Sequence, residues 1–287
     1  MALVPEPAPT RPAPETPPKK ESALEEAARQ QFGLHAWDRP ALYRETAEAA
    51  SDTTLPFWAV LMLSGAIATL GLALNATAVV IGAMLIAPLL GPVLGLGMAL
   101  AVGDGRLAAQ TTLTILLGTI GVIVVSALLT VLLPFQSVTE EIAARTRPTT
   151  LDLAIAVASG LAGAVVTLTR EKRLSAAIPG VAIAVALIPP LGVTGFGIGI
   201  GWNWPIIWGS LLLYGANFAG IVLSALLAFL LVGMSRSEVV EAARQWHAQG
   251  HPEGLTGRLE QVELFQRLRV FQAPWARVLL VILFVGA

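Results

Sequence analysis

Six long apolar stretches, at 55–74, 76–102, 107–133, 151–169, 174–200 and 206–232, restrict this chain more than any other feature. Each reaches the roughly 20 residues that a helix needs to cross a bilayer. Hydrocarbon holds no water to pair with amides and carbonyls, so such stretches can only be helices closed on their own hydrogen bonds. Composition agrees, with 55% hydrophobic and 13% charged residues against roughly 25% charged in soluble domains. The expected fold is all-α, a polytopic transmembrane bundle of six spans.

The stretch lengths run 20, 27, 27 and then 19, 27, 27, which predicts an internal repeat. Inside the second stretch, VVIGAMLIAPLLGPVLGLG (79–97) sets Pro88 and Pro92 on either side of Gly91. Inside the fifth, ALIPPLGVTGFGIGIG (186–201) sets Pro189 and Pro190 ahead of Gly192. Proline lacks an amide donor and clashes with the carbonyl four residues back. Matching Pro88-Leu-Leu-Gly91 to Pro189-Pro-Leu-Gly192 therefore predicts broken second and fifth helices at corresponding points. Ser126-Ala-Leu-Leu in the third stretch recurs as Ser224-Ala-Leu-Leu in the sixth. Three spans is an odd number, so the second repeat must enter from the other face, giving a 3+3 inverted repeat. Paired breaks of this kind mark binding sites in transporters.

The remaining chain divides around these spans. Residues 1–52 hold a proline-rich tail and two short helical stretches, suited to the membrane interface or to cytosolic partners. Repeat 1 occupies 53–133, an outer linker 134–150, repeat 2 151–233, and amphipathic helices with an apolar tail 234–287. Ser235-Arg-Ser-Glu238 reads as a capping box opening the last region. Of the 18 basic residues, 16 fall on one face when both termini are cytoplasmic, leaving Arg145 and Arg147 outside. Trp202, Trp204 and Trp208 then sit at the outer interface.

Few side chains could carry chemistry. There is no cysteine, no nucleophile–base pair and no nucleotide motif, so no enzymatic activity, cofactor or nucleic-acid binding is expected. His247 and His251 have a metal-like spacing that Gly250 and Pro252 interrupt, so no metal site is expected. Asp152 beside Thr149 and Thr150 reads as a helix cap or as a ligand at a cation mouth. Asn217, deep in the sixth stretch with Tyr214 one turn earlier, bonds a neighbouring helix or serves the nearby break. Thr194 offers a hydroxyl on the same terms. Ala156, Ser159, Gly160 and Gly163 form a small-residue face that suggests a homo-oligomer, a dimer first.

Val80-Ile-Gly-Ala-Met-Leu-Ile-Ala-Pro-Leu-Leu-Gly-Pro92, with Pro179-Gly-Val-Ala-Ile-Ala-Val-Ala-Leu-Ile-Pro-Pro190 downstream, resembles domain-of-unknown-function family 389 (DUF389). The resemblance covers roughly 54–233. It implies a multi-pass protein of a prokaryotic plasma membrane and brings no substrate or reaction. The function expected is a channel or secondary transporter for a small ion or solute. Its path runs through Pro88, Gly91, Pro92, Pro189, Pro190, Gly192, Thr194 and Asn217. The alternative is a non-transporting scaffold or signalling module acting through its cytoplasmic tails, with the broken helices packed dry.

Overall fold

In the computed structural model, which describes residues 38–134, 136–169 and 178–249 and gives 178–186 as backbone alone, the described part of each apolar stretch folds as helix. The first half comprises α1 (Arg39–Ser51), α2 (Leu55–Ala73), α3 (Thr77–Ile86), α4 (Leu90–Val102) and α5 (Gly105–Leu132). After a short α6 (Glu140–Ala143) come α7 (Thr150–Leu168), α8 (Ile178–Gly199), α9 (Trp204–Leu231) and α10 (Ser237–Ala248). No strand occurs among the described residues. Helices α2, α5, α7 and α9 are each long and apolar enough to cross a membrane, and α3 with α4 is a bent pair equivalent to one more. Helix α8 is apolar along its 22 residues.

Local chemistry fixes where the long helices begin. The Asp104 carboxylate accepts from the amides of Arg106 and Leu107 and opens α5. Thr149 and Asp152 cap each other reciprocally and open α7, so Asp152 is spent as a cap. Asn203 accepts from the Ile206 amide and opens α9. The box expected at Ser235–Glu238 does not form: α10 starts at Ser237, with Arg236 before it and no side-chain cap.

The faces of α5 are ordered for lipid. Leu116, Ile120, Val124 and Leu128, four apart, are exposed, while Thr111, Ile115, Gly118, Val122, Ser126 and Thr130 are buried. Apolar residues face out and small or hydroxyl residues face in, the reverse of a soluble helix. With lipid tails as apolar as leucine, helices associate by close approach and interhelical hydrogen bonds instead. Thr69 Oγ1 on α2 donates to Ser126 Oγ on α5 at 2.8 Å. The hydroxyls of Thr119 on α5 and Tyr214 on α9 pair at 2.7 Å.

The small-residue face of α7 is covered within the chain. A Cβ on Gly160 would lie 2.1 Å from Ser224 Oγ and 2.4 Å from the Ile221 carbonyl of α9. Ala156 is fully buried, and Ser159 and Gly163 are buried too. This face therefore packs the protomer and is not available to a second copy. Gly160→Ala is expected to destabilise the bundle by about 2 kcal/mol through overpacking, read as an earlier unfolding midpoint in a mixed-micelle denaturant titration.

One of the two expected helix breaks is present and the other is not. The second span bends by 56° between α3 and α4. The fifth, by contrast, runs as one helix with Pro189 and Pro190 inside it, which corrects the expectation of a matching break. The physical difference lies in the surroundings. Leu187 to Gly197 of α8 is buried throughout, enclosed by α2, α5, α7 and α9. Thr194 Oγ1 donates to the Pro190 carbonyl at 2.9 Å. A proline-bearing helix survives at membrane depth where neighbours hold it and hydroxyls satisfy its carbonyls.

Helix α1 is not a surface element. Tyr43, Ala47 and Ala50 are fully buried, and the helix packs on α4, α5 and α10. At the opposite end of the bundle, Trp202, Trp204 and Trp208 are exposed, Trp204 stacking on Trp208 at 6.4 Å and meeting Trp202 at a tilt at 5.8 Å. There, α6 and its flanks fasten onto the α2–α3 turn: Asn75 Oδ1 accepts the Glu141 amide at 3.0 Å, and Thr139 Oγ1 donates to the Leu72 carbonyl at 2.7 Å. The helical stretch expected before Trp37, the amphipathic run at 258–272 and the apolar tail at 278–287 lie outside the described residues.

Candidate functional site

The break begins with a local constraint. A residue preceding proline is pushed out of the α region, and Ala87 ahead of Pro88 is extended at φ −67°, ψ 121°. Its amide reaches only the Met84 carbonyl, at 3.3 Å. The Ala83 carbonyl, deprived of the amide four residues on, is taken by the Ser64 hydroxyl of α2 at 2.6 Å. Helix α4 restarts at Leu90, which places Pro92 in its first turn, where a missing amide costs nothing.

Beside this break lies a cavity of about 410 Å³, bounded by α1, the start of α4 and the end of α7. Pro88 and Gly91 line it, together with Glu45 and Thr46 of α1 and Thr167 and Thr169 at the end of α7. Glu45 is exposed at its mouth. Helix α1 forms the wall by close approach to glycine. A Cβ on Gly91 would fall 2.5 Å from the Ala49 carbonyl oxygen, and one on Gly95 2.3 Å from Ala50 Cβ.

A second cluster holds that wall in place. Asp104, its side chain nearly buried at the start of α5, accepts a hydrogen bond from the Tyr43 hydroxyl of α1. His247 Nε2 of α10 lies 2.8 Å from the same carboxylate oxygen. An ionised carboxylate only accepts, so that imidazole nitrogen carries the proton. Burial pushes the Asp104 carboxyl upward, but hydrogen bonding and charge from His247, the Tyr43 hydroxyl and the Leu107 amide outweigh it and hold the group below its ordinary value. Tyr43 is pushed well above the usual phenol range, first by burial and then by the Asp104 charge. Nearby, Arg44 Nη2 donates to Gln245 Oε1 at 3.3 Å. One carboxylate thus ties α1, α5 and α10.

Of the eight residues expected to form a path, only Pro88 and Gly91 line the cavity. Pro92 is buried below them. Pro189, Pro190 and Gly192 are packed inside α8, and Thr194 pairs with Ser210 of α9 at 2.7 Å. Asn217 is buried in α9 and is not among the lining residues. The structure therefore does not gather the two proline sites into one chamber. Glu45, Thr46, Thr167, Thr169 and the Asp104 cluster escaped the sequence reading. A polar helix ahead of the first span, and an aspartate between Gly103 and Gly105, were the signals available for them.

Residues 84–223 match the family model of a domain of unknown function, DUF389. An uncharacterized protein of Methanocaldococcus jannaschii is 34% identical over 176 residues, which is 61% of this chain and 54% of that protein. The match thus spans about half the length of that relative. No solved structure matches the chain.

Proposed function

We propose that this chain, whose residues 84–223 carry the DUF389 domain, is a membrane passage for a small ion or solute that enters at the helix break beside Pro88. The observation that carries this reading is that the break opens on a cavity of about 410 Å³ with polar groups in its wall. Backbone irregular at membrane depth is tolerated where it is buried in protein or lines a wet space, and here it lines the space.

The contacts also favour an inverted 3+3 arrangement. Exchanging α2, α3/α4 and α5 for α7, α8 and α9 leaves the set of packed helix pairs unchanged. A Cβ on Gly97 would meet Ala225 at 3.2 Å, and one on Gly195 would meet Ser126 at 2.4 Å and the Ala127 amide at 2.9 Å. Gly97 and Gly195, like Ala127 and Ala225, lie 98 positions apart. This register sets Pro92 against Pro190 and leaves Pro88 facing Ala186. The proline that breaks the second span thus has no partner in the fifth, a reason in the repeat itself why α8 stays whole. Both termini are then cytoplasmic, and the cavity opens to the cytoplasm.

Purified protein in liposomes is expected to pass a small solute without a proton gradient, since among the described residues the membrane-crossing helices carry no carboxylate except Asp152, which is spent as a cap. Cysteine at position 145, in this cysteine-free chain, is expected to label only from outside; labelling from the cytoplasm would remove the inverted repeat. The tight enclosure of Pro189 and Pro190 favours a second reading, a non-transporting module. It becomes the better one if a broad panel of ions and metabolites gives no flux.

A further inference from the structure

The walls of the cavity differ in what they offer a ligand, and the difference follows from where three hydroxyl protons go. Thr46 Oγ1 donates to the Leu42 carbonyl at 2.8 Å, Thr167 Oγ1 to the Gly163 carbonyl at 2.9 Å, and Thr169 Oγ1 to the Val165 carbonyl at 2.7 Å. Each hydroxyl spends its single proton on its own helix, so only lone pairs remain for anything else. Pro88 has no amide to offer. Glu45, when ionised, only accepts. No lysine, arginine or histidine is among the described lining residues. Helix α7 ends at this cavity and α4 begins there, so one negative and one positive dipole end face it.

We infer that the cavity binds a monovalent cation, held by the Glu45 carboxylate and the Thr46, Thr167 and Thr169 oxygens. The side-chain oxygens of the wall disfavour an anion, and Glu45 carries the one charge among the described lining residues. One carboxylate matches one positive charge. Among the described residues no three His, Cys, Asp or Glu side chains are grouped to hold a metal ion, which excludes the ligand set of a tight divalent site. At about 410 Å³ the space exceeds a bare ion, so the cation keeps part of its water. Arg170, Lys172 and Arg173 follow Thr169 in the sequence, outside the described residues. An anion is therefore the competing occupant that the test must exclude.

This inference names what enters the proposed passage, and it rests on that reading for flux but not for binding. The whole protein in detergent is titrated with potassium chloride against N-methyl-D-glucamine chloride, reading thermal stability. Potassium is expected to stabilise wild type; Glu45→Gln is expected to weaken the apparent affinity about tenfold or more, and Thr167→Val by less. In planar bilayers under a potassium chloride gradient, the reversal potential is expected on the potassium side. Stabilisation by potassium that needs Glu45, with no current, would sink the passage and keep the site. A reversal potential on the chloride side, equal stabilisation by both salts, or potassium binding untouched in both variants would overturn the cation site.

Discussion

Replacing Gly91 with leucine is expected to drive α1 off the bundle and abolish passage through the cavity. The space beside Gly91 is closed by backbone: the nearest atoms to an added Cβ are the Ala49 carbonyl oxygen at 2.5 Å and its carbon at 3.1 Å. No side-chain rotation relieves such a contact, so the helix itself must move. Overpacking of this kind costs roughly 1–3 kcal/mol when the site can adjust, and more where a whole helix is displaced. Because α1 supplies Glu45 and Thr46 to the cavity wall, its departure removes half of the ligand set. Two measurements check this. Flux in liposomes should fall to background, and a cysteine at position 47, fully buried in the native packing, should become reactive in Gly91→Leu alone. A variant that conducts like wild type with position 47 still protected would show that the α1–α4 contact gives way locally. Gly95→Ala, with its Cβ directed at Ala50 Cβ, should shift the same two readings less far.

Asp104→Ala is expected to have the larger effect on stability. It removes the cap of α5, worth about 1 kcal/mol, and strands the buried Tyr43 hydroxyl at about 1–3 kcal/mol. The total is on the order of 3 kcal/mol, a large share of the roughly 5–15 kcal/mol that holds a domain folded. Release of α1 and α10 together, seen as faster proteolysis near residues 43 and 247 with the spans intact, distinguishes this from general unfolding. Acid should mimic the substitution. A carboxyl held low in the fold contributes fully above its ordinary value of 3.8 and loses that contribution as pH falls through the lower folded value. Alkali acts from the other side. Tyr43, held high, contributes below its ordinary 10.0 and loses that contribution as pH rises through the folded value. The clasp is therefore expected to hold across the neutral range.

By itself the sequence determined everything that depends on local chemistry and on lipid as solvent. Apolar stretches long enough to span had to be helices, and the described part of each is helical, the second as a bent pair. The break at Pro88 was legible because a proline constrains the residue before it wherever it stands, and Ala87 is extended accordingly. Asp152 was legible as a cap because the Thr149 partner lies three residues away. Tertiary structure alone decided the rest. Whether a proline interrupts a helix depends on what encloses it, and Pro189 and Pro190 sit in the buried 187–197 stretch of α8. The small-residue face of α7 could have met another protomer or α9; Ser224 and Ile221 take it. Helix α1, polar in sequence, buries one face because the Ala49 backbone and Ala50 fit the glycines of α4. Tyr43, Asp104 and His247 are separated by 61 and 143 positions. No local pattern relates such residues, because their meeting is a product of how the helices pack.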